Sequence, residues 1–233
     1  MKKTFLLSCL MLAAMPVMAA YTGHVYVDKN KNGVFDQSEK PLAGIKVSDG
    51  LNVVETAADG SFTLPGHERE RFIFITTPSG YKTFNRHYHK IEKKQSGYDF
   101  GLIPYSGRIR KDGSHRYIHI TDTEIFNTEN HADWVNNVHD YARNEQAAFI
   151  IHTGDICYEK GLKAHIKLMN TENMDCPVFY CIGNHDLVKG KYGEELFESI
   201  YGPVYYSFDA GNVHYIVTPM PGGDHAPGYT ADD

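Results

Sequence analysis

Three short strings carry the residues with chemical potential: Thr121-Asp122-Thr123-Glu124, Gly154-Asp155-Ile156-Cys157-Tyr158 and Gly183-Asn184-His185-Asp186. Each follows an apolar run, and the last two stand about one strand-helix-strand unit apart. Carboxylate and amide oxygens combined with an imidazole nitrogen form the donor set of metal-assisted phosphoester chemistry. Each glycine lets the backbone turn sharply, so that the next side chain leaves the sheet. Asp155 has two carboxylate oxygens, enough to bridge two cations, and Asn184 offers a neutral amide oxygen to one of them. Two cations held this way can share a hydroxide, align it for in-line attack on phosphorus and polarise the phosphoryl oxygens.

The elements that must position these strings are legible in the periodicity. Residues 115–121, 147–153 and 177–182 are apolar runs rich in β-branched and aromatic side chains, which predicts strands buried on both faces. Between the first two, Trp134, Val135, Val138, Tyr141 and Ala142 recur at helical spacing. After the second, Leu162, Ile166 and Met169 share one helical face. The alternation predicts a parallel α/β sheet with right-handed crossovers, whose ligand crevice lies at the carboxyl ends of the strands, where the three strings sit. Residues 192–201 read as a shorter helix, and 204–208 with 213–218 as a hairpin around Ala210-Gly211-Asn212. The segment 219–233 is rich in Gly and Pro without apolar period and reads as an unpacked loop.

Upstream the period changes. Residues 25–27, 45–47, 52–56, 61–64 and 72–76 read as short strands separated by the turns Asp49-Gly50, Asp59-Gly60 and Pro78-Ser79-Gly80. This predicts a small immunoglobulin-like β-sandwich over 21–105, a linker over 106–114, and an α/β domain from 115 to 233.

In order and context, the three strings resemble the opening motifs of the calcineurin-like metallophosphoesterases, Asp-x-His, Gly-Asp-x-x and Gly-Asn-His-Asp/Glu. The resemblance covers residues 115 to 218. It implies an αββα-type sandwich, of which this chain carries part, and a dinuclear centre of Mn, Fe, Zn or similar metals. By the family pattern Asp122 binds the first metal, Asp155 bridges and Asn184 binds the second. His185 would contact the phosphate and assist the leaving group, oriented by Asp186.

The first motif departs from the pattern, because Glu124 stands where the family has histidine. One reading makes Glu124 a carboxylate ligand of the first metal, suited to Mn, Mg or Fe(II); another places it behind the ligands. Tyr158 is also open. Gly-Asp-x-x-Tyr resembles a motif of purple acid phosphatases, which lack that histidine and bind Fe(III) through the tyrosine; otherwise Tyr158 packs at the start of the next helix. His119 and His152 lie on strands and read as core or supporting residues, while His214 and His225 lack the Gly-His-x-His context of the family's late ligands. With no counterpart for those ligands by Asp233, the resemblance implies a truncated site, with weak metal binding and low activity for this polypeptide alone.

A second metal pattern lies in the β-rich part. Asp28, Asn30, Asn32, Gly33, Val34, Asp36 and Glu39 fit the twelve-residue calcium loop, with side-chain oxygens from Asp28, Asn30 and Asn32, a carbonyl from Val34, a direct or water-mediated contact from Asp36 and a bidentate Glu39. No helix precedes it, so it is not an EF-hand. Its surroundings resemble the collagen-adhesin B-type immunoglobulin-like repeats. The competing reading is a solvated hairpin around Asn32-Gly33.

Composition sets outer limits. With 42% hydrophobic and 12% aromatic residues the 233-residue chain is globular in type. A net charge of -6 without Lys/Arg clusters argues against a nucleic-acid surface. Lys2 and Lys3, an apolar run over 5–14 and the small residues Ala19 and Ala20 read as a secretory signal over residues 1–20, too short for a membrane anchor. Export to the periplasm or beyond the cell follows as an expectation. It leaves Cys157, Cys176 and Cys181, with Cys157 and Cys181 beside neighbouring strand ends, either paired or packed as thiols.

The function expected is metal-dependent hydrolysis of a phosphoester or phosphorylated small molecule. Its competitor is an exported module that binds glycan, peptide or another surface protein, with the phosphoesterase part as scaffold. Substrate and oligomeric state are not set by the sequence.

Overall fold

The computed structural model describes residues 20–67, 69–95, 97–105, 108–156, 158–188, 190–220 and 222–229. The expected signal segment before residue 20, and Cys157 of the candidate disulfide, lie outside the described residues, while Cys176 and Cys181 are free thiols.

The first part is built of strands: β1 Ala20–Val27, β2 Lys40–Pro41, β3 Lys46–Ser48, β4 Val53–Glu55, β5 Ser61–Pro65, β6 Phe72–Ile75, β7 Tyr81–Thr83, β8 Tyr88–Lys90 and β9 Phe100–Pro104. They form two sheets, one ordered β2-β1-β9-β7 with β5 also on β1, the other β4-β3-β6-β8. Val25, Leu64, Phe100 and Leu102 of the first sheet meet Val47, Ile73 and Ile75 of the second in one buried core. Strands β2, β7, β8 and β9 are absent from the sequence expectation. The first three have only two or three residues, Lys-Pro, Tyr-Lys-Thr and Tyr-His-Lys, so no alternating run announces them.

Strand β6 is buried at all four positions. Because successive side chains of a strand point to opposite faces, Ile73 and Ile75 enter the first core while Phe72 and Phe74 join a second one with Phe149, Phe179 and Phe208. Each such side chain removed from water contributes about 1.5–3 kcal/mol. The β-rich part is thereby fastened to the part that follows.

That part runs β10 Ile118–Ile120, α1 Ala132–Asn144, β11 Ile150–His152, α2 Glu159–Leu168, β12 Val178–Tyr180, a 3-10 turn Asn184–Asp186, α3 Glu195–Tyr201, β13 Tyr206–Ala210 and β14 Val213–Val217. Strands β10, β11 and β12 form a parallel sheet in sequence order. Helix α1 turns Val135 and Ala142 inward, but Tyr141 is 60% exposed and is not part of the apolar face the periodicity gave it. The hairpin β13-β14 is tied to the β-rich part by Asp209 N–H donating to Thr77 O at 2.9 Å and by Thr76 Oγ1 with Ser207 Oγ at 2.8 Å.

The segment after β14 is not an unpacked loop. Met220 and Tyr229 pack on the cluster of Phe197 and Tyr201, Gly193 N–H donates to Ala226 O at 2.8 Å, and Gly228 N–H donates to Glu194 Oε2 at 2.6 Å. Such isolated contacts carry no period, which is why pattern reading misses them. Among the described residues no helix is long and apolar enough to cross a membrane.

Candidate functional site

The parallel pairing continues past the strand ends and brings the three strings side by side. Asp122 N–H donates to Gly154 O at 3.1 Å, Glu124 N–H to Asp155 O at 3.4 Å, and Ile125 N–H to Ile156 O at 3.0 Å. On the other side, the Asp155 carboxylate accepts the His185 N–H at 3.1 Å. The last contact requires two glycines. A Cβ on Gly154 would stand 2.4 Å from Gly183 N, and one on Gly183 would stand 2.2 Å from both Asp155 N and Asp155 Oδ1.

Backbone strain collects at this place. Of the seven described non-glycine residues with positive φ, four are Asp122 at 52°, Glu124 at 43°, Asp155 at 51° and Tyr158 at 25°. A non-glycine residue held there costs about 1 kcal/mol or more, and such strain persists only where the surroundings enforce it. Three of the four are carboxylate residues of the strand-end loops.

Buried polar residues hold the loops. His152, with no exposed surface, accepts the Gly154 N–H on Nδ1 at 3.2 Å. Burial pushes its pKa down to about 4, so the neutral ring carries its proton on Nε2 and donates to Thr123 Oγ1 at 2.9 Å. One ring therefore ties the first loop to the second. His119 is an outward strand residue bonded to Thr153 Oγ1 at 2.7 Å.

Around His185 the arrangement differs from the sequence expectation. Asp186 is fully buried and accepts the Gly183 N–H at 2.9 Å, which closes the 3-10 turn. The carboxylate at the His185 ring is Asp224, whose Oδ2 is 2.9 Å from Nδ1. Asp224 holds the His185 pKa above the ordinary histidine range, with further pull from Asp155 and Glu124 against desolvation. Asp224 was not found from sequence, because it lies in a glycine-rich stretch with no motif of its own; the pair Gly222-Gly223 before it is the only signal. Gly223 is needed for close approach, since a Cβ there would lie 2.8 Å from Asn184 O.

Tyr158 neither packs into the core nor stands apart from the site. It is 50% exposed at the start of α2, and its hydroxyl lies 3.4 Å from His185 Nδ1. His214 bonds Asp209 at 2.7 Å on the hairpin, and His225 is exposed in its loop.

Asp122, Glu124, Asp155 and Asn184 supply only oxygen donors, the set suited to Mg, Mn or Fe(II). Among the described residues, the one trio of His, Asp or Glu side chains with ligand atoms within 4.8 Å of one another is Asp49, His67 and Glu70, in the β-rich part. Its His67 Nδ1 accepts the Arg69 N–H at 3.2 Å, which places the ring proton on Nε2 and turns that nitrogen from ligand into donor. A cleft of about 1080 Å³ also opens away from the strand ends, where Lys46, Leu51, Arg71, Tyr205, Ile216 and Tyr229 are among its walls.

Comparison with known families agrees with the geometry at the strand ends. Residues 29–104 match the N terminal of Calcineurin-like phosphoesterase, and residues 115–226 match the Calcineurin-like phosphoesterase domain itself. No curated protein sequence matches the chain significantly. The chain belongs to the calcineurin-like phosphoesterases, a family of metal-dependent enzymes acting on phosphoester bonds.

Proposed function

We propose that the strand-end loops form a phosphoester hydrolase site in which Asp122, Asp155 and Asn184 hold metal and His185 serves the leaving group. The observation that carries this reading is Asp155 at the junction of all three loops, its backbone carbonyl accepting the Glu124 N–H and its carboxylate accepting the His185 N–H. Two divalent cations bound there would polarise the phosphoryl group and lower the pKa of the attacking water.

The chain's own residues do the rest. Asp224 accepts from His185 Nδ1–H and keeps a proton on the ring, so Nε2 is the nitrogen turned to substrate. Asp186 fixes the turn that carries Asn184 and His185, a positioning task rather than contact with the reacting atoms. His152 and Thr123 hold the loop bearing Asp122 and Glu124. Glu124, strained and adjacent to Asp155, is a further oxygen ligand in this reading. Tyr158 beside the His185 ring borders the substrate position and is not the Fe(III) ligand of a purple acid phosphatase.

We infer further that residues 1–20 direct export, that 21–105 is an immunoglobulin-like sandwich, and that 115–233 belongs to the catalytic domain. Sequencing the mature N-terminus tests the first of these. For activity, the purified chain is stripped with chelator, given Mn, Mg, Zn or Fe(II), and assayed with an aryl phosphate. Metal-dependent turnover that Asp155→Asn abolishes is expected; turnover that survives the substitution sinks the reading. A second reading, a binding module, draws on the apolar cleft at the hairpin. It requires partner binding that is unchanged by Asp155→Asn together with His185→Ala.

A further inference from the structure

The connection between β1 and β2 contains buried charge that phosphoester chemistry does not use. Asp28 and Glu39, the first and last residues of 28–39, are 1% and 7% exposed. Among the described residues, neither has a Lys, Arg or His within ion-pair distance. Their oxygens accept N–H bonds from the loop they bracket: Asn32 at 3.2 Å and Gly33 at 2.9 Å on Asp28, Lys29 at 3.0 Å and Asp36 at 3.4 Å on Glu39. Backbone dipoles orient these carboxylates but do not neutralise two buried negative charges, which need a cation.

An independent observation points to the same place. The Tyr26 hydroxyl has no hydrogen-bond partner among the described residues, and the side chain that carries it is fully buried. It lies against this cluster, because a Cβ on Gly101 of β9 would be 3.1 Å from Asp28 Oδ2 and 3.2 Å from the Tyr26 oxygen. Burial and then the charges of Asp28 and Glu39 raise its pKa. The phenol oxygen is thus a buried polar atom beside these carboxylates that bonds neither. Phe35, from the loop itself, packs against this tyrosine with ring centroids 5.0 Å apart.

We propose that residues 28–39 bind one calcium ion, with oxygens from Asp28, Asn30, Asn32, the Val34 carbonyl and a bidentate Glu39, and with Asp36 reaching it through water. The spacing places ligands at positions one, three, five, seven, nine and twelve, with glycine at six. Gly33 at that sixth position has φ 70°, as the sharp turn requires. Asp36 is engaged with Ser38 at 2.8 Å, which suits the ninth position, the one that commonly ligates through water. Strands replace the helices of an EF-hand: β1 leads in and β2 leads out, so the ion would staple the sheet β2-β1-β9 rather than open a groove. Seven oxygens, two of them from one bidentate carboxylate, favour calcium, since magnesium demands a tight octahedron and retains water.

The test titrates calcium chloride into the chelator-stripped full chain, reading heat and melting temperature, with magnesium chloride in parallel. One calcium site with a Kd of about 0.1–1 mM is expected, the range of extracellular modules, with a melting shift that magnesium does not reproduce. Glu39→Gln and Asp28→Asn should remove heat and shift, while Asp155→Asn should leave both, which separates this site from the strand ends. Should Asp28→Asn fail to fold, the exposed pair Asn30→Ala and Asn32→Ala should still weaken calcium binding about tenfold or more. The proposal is overturned by absence of calcium heat up to about 10 mM, by a signal that survives Glu39→Gln, or by one that disappears with Asp155→Asn.

Discussion

Two regions of this molecule gather carboxylates by opposite means. Over 28–39 the acidic residues come from one continuous stretch, the first and last of them are buried, and their oxygens are oriented by the loop's own N–H groups. At the strand ends Asp122, Asp155 and Asp224 come from segments about thirty to seventy residues apart and are joined through backbone contacts of β10, β11 and the turn after β12. The first arrangement needs only local chain geometry. The second needs the sheet, two glycines and a returning segment, and it stores strain that the first confines to Lys31. A local loop can bind a cation as a staple, while a distributed site can aim different groups at one substrate from several directions.

The largest effect expected from that contrast is on backbone fit. Gly183→Ala drives a Cβ to 2.2 Å from Asp155 and should cost on the order of 3 kcal/mol, read by urea unfolding, with loss of hydrolysis. Calcium heat from 28–39 should persist in the folded fraction; its loss would break the separation of the two regions. Next, His185→Ala should lower kcat for an aryl phosphate by about 10²–10⁴ without a comparable change in stability. Asp224→Asn should lower it about tenfold to a hundredfold, because the ring loses its orienting carboxylate while keeping its place. An unchanged rate would return the orienting role to Asp186.

A third kind of carboxylate sharpens the comparison. Glu198 is buried beside Arg71 at 3.4 Å, and burial, opposed by Arg71, pushes its pKa up to about 7. The folded protein therefore keeps a proton that the unfolded chain releases near 4.5, so stability falls as pH rises between those values and levels off above them. Glu198→Gln should flatten that slope, which amounts to about 2 kcal/mol from pH 5 to 7, in urea unfolding across pH. The smallest effect is expected of Tyr158→Phe, less than about tenfold in kcat, because its hydroxyl stands 3.4 Å from His185 as a neighbour and not as a proton carrier. A loss as large as that of His185→Ala would reinstate Tyr158 as a ligand.

Much of the site was readable because it is written in short strings. Gly154 and Gly183 announced sharp turns at strand ends, and the structure adds that each makes room for the other's backbone. The parallel order of β10, β11 and β12 followed from apolar runs alternating with helical faces. Unread were Asp224 and the bond from His152 to Thr123, since neither depends on a neighbour in sequence. Strands β7 to β9 escaped for a related reason: β9 takes its place from β1, β7 from β9 and β8 from β6, partners distant in sequence.

By itself, then, the sequence determined which residue types stand at the strand ends, where the chain must turn, and that 28–39 has the spacing of a calcium loop, because these properties reside in contiguous residues. Only the tertiary structure decided which carboxylate meets His185, that β6 serves two cores at once, and that Asp28 and Glu39 are buried together at the ends of their loop. Those outcomes depend on which distant segments share space, and hydrophobic packing settles that for the chain as a whole.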